Sequence, residues 1–110
     1  MGMLSSDKRL ESHMAIISYE NEHDWNSFQS VKVLVNGAVK YSINNVQIIV
    51  KHGTYHSDLC ELNIMWDEAG MQNYKEEELF CVYSSEYVEM EYREGVLIIH
   101  ASRNMDIIIG

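Results

Sequence analysis

From residue 31 onward, apolar and polar positions alternate with a period of two, the mark of half-buried β-strands. Val31, Val33 and Val35 share one face, as do Val39, Tyr41 and Ile43, and then Val46, Ile48 and Val50. Residues that face one another across a hairpin share a face, so each connection can be tested by register. A two-residue turn at Asn44-Asn45 opposes Ile43 with Val46, Tyr41 with Ile48 and Val39 with Val50, and all three pairs agree. A two-residue turn at Asn36-Gly37 opposes Val33 with Lys40, which mixes faces. A three-residue connection, Asn36-Gly37-Ala38, puts Val33 opposite Tyr41 and is therefore predicted, with Gly37 free to take positive φ.

The second half follows the same logic. A strand over 59–66 carries Cys60, Leu62, Ile64 and Trp66 on one side. Leu79, Cys81 and Tyr83 match Val88, Met90 and Tyr92 through a turn at Ser85-Glu86. A turn at Glu94-Gly95 then brings Leu97 opposite Tyr92 and Ile99 opposite Met90, leaving Tyr87, Glu89, Glu91 and Arg93 on a wet outer face. Residues 105–109 are apolar on both faces, as in a buried strand. Residues 14–19 read as one more strand. Residues 21–29, with acids in the first turn and aromatics three apart, read as a short helix. Residues 67–78 read as a loop or a single turn, because Gly70 and the Glu76-Glu77-Glu78 run oppose a helix. The predicted class is mainly β: antiparallel meanders forming a small sandwich or a strongly curled sheet, with at most one or two short helices.

The start of the chain stands apart from this pattern. Met1 to His13 shows no strand alternation, and Ser12-His13-Met14 has the look of a cloning scar. Residues 1–13 are accordingly expected to be a vector-derived or disordered leader, with 14–110 as a single β-rich domain. At 110 residues with 46% hydrophobic content, the chain is long enough to bury one core. The longest apolar runs are strand-sized, so no membrane-spanning helix is expected, and the protein is placed in the cytoplasm.

Charge changes the picture most. The formal net charge is −9, which opposes direct nucleic-acid binding, since that footprint is basic. Residues 1–55 are neutral in sum, so all of the excess lies in 56–110, and residues 67–94 alone carry a net −7. Such asymmetry marks an interaction surface or a solubilising face.

Candidate chemistry is sparse. His52, His56, Asp58 and Cys60 are the one group with ligand-like spacing for zinc, but an extended strand separates the two histidines by about 13 Å, at roughly 3.3 Å per residue. His100 ends a strand, where a backbone acceptor is expected, and His23-Asp24 reads as a structural helix-start pair. Cys60 and Cys81 read as reduced, buried thiols. No nucleophile elbow and no glycine-rich phosphate loop occur. Neither a catalytic residue, a metal site nor a cofactor is assigned, and the expectation is not an enzyme.

Acids interleaved with tyrosine suit a protein-binding patch, aromatics supplying contact area and carboxylates supplying steering. The leading expectation is a non-catalytic acidic binding protein of the inhibitor or immunity type, bacterial or phage in kind. It would dock on a basic, nucleic-acid-handling partner such as a nuclease or defence protein. Asp67, Glu68, Glu76, Glu77, Glu78, Tyr87, Glu89 and Glu91 are the expected contact residues. The alternative is a homo-oligomeric assembly protein joined through Met105 to Ile109 or by edge pairing, and the third is a zinc-dependent enzyme.

Overall fold

In a computed structural model, residues 4–23, 26–52, 60–66 and 81–110 are described. The chain runs α1 (Ser6–Glu22), β1 (Asn26–Val35), β2 (Ala38–His52), β3 (Cys60–Trp66), β4 (Cys81–Ser84), β5 (Glu89–Arg93), β6 (Val96–Ser102) and β7 (Met105–Ile109). The strands form one seven-stranded antiparallel sheet in the order β4-β3-β2-β1-β7-β6-β5. It curls into a half-barrel rather than dividing into a sandwich. The two edge strands, β4 and β5, are consecutive in sequence and are joined by residues 85–88 alone.

Val31, Val33, Ile43, Val46, Ile48, Val50 and Ile64 enter the core from the first three strands, and Met90, Leu97, Ile99, Ile107 and Ile109 from the last three. The helix completes it with Ala15, Ile16 and Tyr19. These fall on one stripe at 3.6-residue spacing, together with Ser12. The strand expected over 14–19 is therefore helix, and residues 6–13 form its first half. Ser5 caps it by accepting from the Lys8 N–H at 3.4 Å, and Asp7 lies in the first turn, favourable to the helix dipole. The short helix expected over 21–29 is absent as such. Residues 21–22 end α1, and 26–29 begin β1. One helix of 17 residues replaces the short ones expected.

Three connections differ from the register expectation. Asn36-Gly37 is a two-residue turn, both residues at positive φ (53° and 82°), as a type I′ turn requires. The face conflict is removed by a bulge on β2: Val33 still pairs with Tyr41, while Leu34 pairs with Val39, so Lys40 is the extra residue. At Asn44-Asn45 the chain does not turn. Strand β2 continues for 15 residues, and Asn45, at φ 65°, forms a bulge opposite Ser30, whose hydroxyl donates to Asn44 Oδ1 at 2.9 Å. Val46, Ile48 and Val50 thus pair with β3 and with the start of β1, not with Ile43, Tyr41 and Val39. Finally, β4 pairs with β3 and not with β5, since Asn63 faces Val82 and Leu62 faces Tyr83. The Glu94-Gly95 turn is as expected, with Tyr92 opposite Leu97 and Met90 opposite Ile99. β7 lies between β1 and β6, so neither of its edges is free.

Candidate docking surface

The surface around β5 arises because an edge strand must be protected, and here α1 lies along it. The Leu4 N–H donates to the Glu86 carbonyl at 2.9 Å, and the Met90 N–H donates to the Ser12 hydroxyl at 3.0 Å. Farther on, the Tyr92 hydroxyl donates to Glu22 Oε2. A helix so placed, beside a strand with alternating sides, leaves a seam between its flank and the outer face of the sheet. That seam is a cleft of about 350 Å³. Met14, Ala15 and Met90 provide its apolar surface, and Glu11 from the helix and Glu89 and Glu91 from the strand provide carboxylates on both walls.

Cations of the chain itself already sit among these acids. Lys8 Nζ donates to Glu89 Oε1 at 3.0 Å and lies 3.8 Å from Glu11 Oε2, spanning from one wall to the other. The hydrogen bond to Glu89, followed by the charges of Glu89, Glu11 and Glu91, holds the Lys8 ammonium above its usual pKa. Arg93 Nη2 lies 2.8 Å from Glu91 Oε1. His100 Nε2 lies 3.8 Å from Glu91 Oε2, and its Nδ1 lies 2.9 Å from Asp106 Oδ1. The partner of His100 is thus a carboxylate on the next strand, not the backbone acceptor expected. At the far end of the seam, Tyr92 meets Tyr19 edge-on with centroids 6.4 Å apart, and His23 stacks on Tyr19 at 4.7 Å. The bond to Glu22 favours the neutral phenol and pushes the pKa of Tyr92 up to about 12.

Of the expected contact residues, Glu89 and Glu91 line this cleft, and Tyr87 lies in the turn that leads into β5. Tyr87 is 48% exposed, and the two glutamates lie on the face opposite the buried Met90. Asp67, Glu68, Glu76, Glu77 and Glu78 lie outside the described residues. The strand pattern does not reveal Glu11, Met14 and Lys8, because residues 1–13 show no alternation and the apolar run at 14–17 imitates a strand. A helical reading would have placed Glu11, Met14 and Ser18 on one flank.

Among the described residues, no group of three His, Cys, Asp or Glu side chains could hold a metal ion. The β2–β3 register sets His52 directly opposite Cys60 along the backbone, while His56 and Asp58 lie outside the described residues. No described helix is long and apolar enough to cross a membrane. Comparisons with protein families, with characterised proteins and with solved structures find no match to the chain.

Proposed function

We propose that the protein is a non-catalytic acidic binding protein, of the inhibitor or immunity type, that docks on a basic, nucleic-acid-handling partner protein in the cytoplasm. The observation that carries this is the outer side of β5. It presents Glu89 and Glu91 beside the exposed Tyr87, within a stretch of chain whose net charge is −7. Exposed carboxylates raise the encounter rate with a positive surface, and an aromatic at their border supplies contact area once the two meet. Asp67, Glu68, Glu76, Glu77 and Glu78, outside the described residues, enter this reading only through the net charge of the chain.

The test is the association rate with a basic partner recovered from the native host, followed across a salt series. The rate is expected to fall steeply as the screening length shrinks to about 8 Å near physiological salt. Charge reversal at both sites, Glu89→Lys with Glu91→Lys, is expected to slow association and flatten the salt slope. An unchanged rate and slope in that double variant would overturn the proposal.

A further inference from the structure

We infer that the cleft between α1 and β5 receives an arginine side chain projecting from the basic partner, a refinement that rests on the function proposed above. Four features of the cleft select this occupant. Its carboxylates stand on two different elements, Glu11 on the helix and Glu89 and Glu91 on the strand, so a cation between them meets acid on both sides. Its accessible apolar surface between those walls is made by Met14. Met90 is only 2% exposed, while Met14 is half exposed and is free to repack against an incoming aliphatic stem. The volume of about 350 Å³ has room for one long side chain. Lastly, the chain's own Lys8 already bridges the walls, 3.0 Å from Glu89 and 3.8 Å from Glu11, which shows that a cation is accommodated at this seam.

Arginine fits better than lysine on chemical grounds. Its guanidinium is planar, carries five donors in a fixed fork and is more weakly hydrated than an ammonium. It can therefore satisfy carboxylates on two walls together while its methylenes lie on Met14. The ring of Tyr92, which also lines the cleft, offers a further face for the cation. Lys8, on Glu89 and Glu11, and Arg93, on Glu91, are then resident competitors. They hold the walls while the cleft is empty and are displaced toward solvent when the arginine enters.

The experiment titrates isotope-labelled protein with an acetylated, amidated tetra-arginine peptide at low salt and follows backbone amide resonances. The expected result is saturable shifts centred on Met14, Met90, Glu91 and Tyr92. Lys8→Ala removes one competitor and is expected to tighten binding about two- to five-fold, the range an exposed ion pair spans. Lys32→Ala makes the same charge change on exposed β1, away from the cleft, and is expected to alter binding by less than half that factor. Glu91→Gln weakens binding by a similar two- to five-fold. Equal effects of Lys8→Ala and Lys32→Ala would overturn the inference, as would equal affinity for a tetra-lysine or tetra-citrulline peptide. Saturable shifts lying elsewhere on the acidic face would remove the cleft but leave the basic-partner proposal standing. No saturable binding at low salt would remove both.

Discussion

Ser12→Ala tests whether α1 is an integral shield for the sheet edge. The Ser12 side chain is fully buried, and its hydroxyl accepts from the Met90 N–H at 3.0 Å. Met90 itself is 2% exposed, so water cannot replace the lost acceptor without opening the helix–strand seam. A buried donor left unsatisfied costs about 1–3 kcal/mol, whereas losing a solvent-accessible hydrogen bond costs about 0.5–1.5. Burial at both ends points to the unsatisfied-donor range, whose middle is about 2 kcal/mol. For a chain of 110 residues that corresponds to a fall in melting temperature of roughly 8 °C, at about 4 °C per kcal/mol. Chemical denaturation followed by circular dichroism gives the free energy, and hydrogen exchange at the Met90 amide gives the local effect. Exchange there should accelerate more than at Ile107, which is paired within the sheet on both sides. Leu10→Ala, on the same helix but 54% exposed, should cost less than about 0.5 kcal/mol. A Ser12→Ala loss as small as that of Leu10→Ala, with unchanged Met90 exchange, would refute the edge-shielding role.

Ile16→Ala is expected to cost about 2–5 kcal/mol, since the residue is fully buried between helix and sheet, and urea unfolding reads it directly. Gly37→Ala should destabilise by roughly 1–2 kcal/mol through its positive φ of 82°, because a Cβ there meets no atom within 4 Å; thermal unfolding decides it. Tyr92 gives a pH signature. Its pKa rises from 10.0 unfolded to about 12 folded, so the Glu22 bond stabilises fully below pH 10 and is lost as pH climbs through 12. Tyr92→Phe should therefore reduce the loss of stability between those pH values, and an unchanged alkaline profile would disprove the assignment.

The faces of the strands were legible in the sequence, but their neighbours were not. Val31, Val33, Ile43, Val46, Ile48 and Val50 all point inward as alternation requires. A two-residue turn and a one-residue bulge both reset the alternation by one position. The step from Ile43 to Val46 therefore fits a hairpin at Asn44-Asn45 as well as the continuous β2 that forms. The same ambiguity hid the bulge at Lys40. In a half-barrel every strand turns its apolar side to one interior, so Tyr83 and Val88 share a face although β4 and β5 sit at opposite edges. The helix was hidden for another reason. Its buried stripe includes Ser12 and Ala15, which give little apolar signal, while the contiguous Met14-Ala15-Ile16-Ile17 imitates a strand. Since Glu11 and Met14 belong to that helix, only the strand side of the candidate site could be read in advance.

The pairing of β1 with β7 carries a consequence for how the chain acquires its shape. The turns at Asn36-Gly37 and Glu94-Gly95 can close early, because each joins strands that are adjacent in sequence. Val31, however, must find Ile109 across most of the chain, so the seam between the two meanders pays a large loop-closure entropy and is expected to form late. During synthesis on the ribosome, β1 emerges long before the partner for its second edge exists. Lys32, set between Val31 and Val33, puts a charge on that waiting edge and discourages pairing with a neighbouring nascent chain. Until Ile107 and Ile109 arrive, the interval before the seam closes is the period when the molecule is most exposed to aggregation.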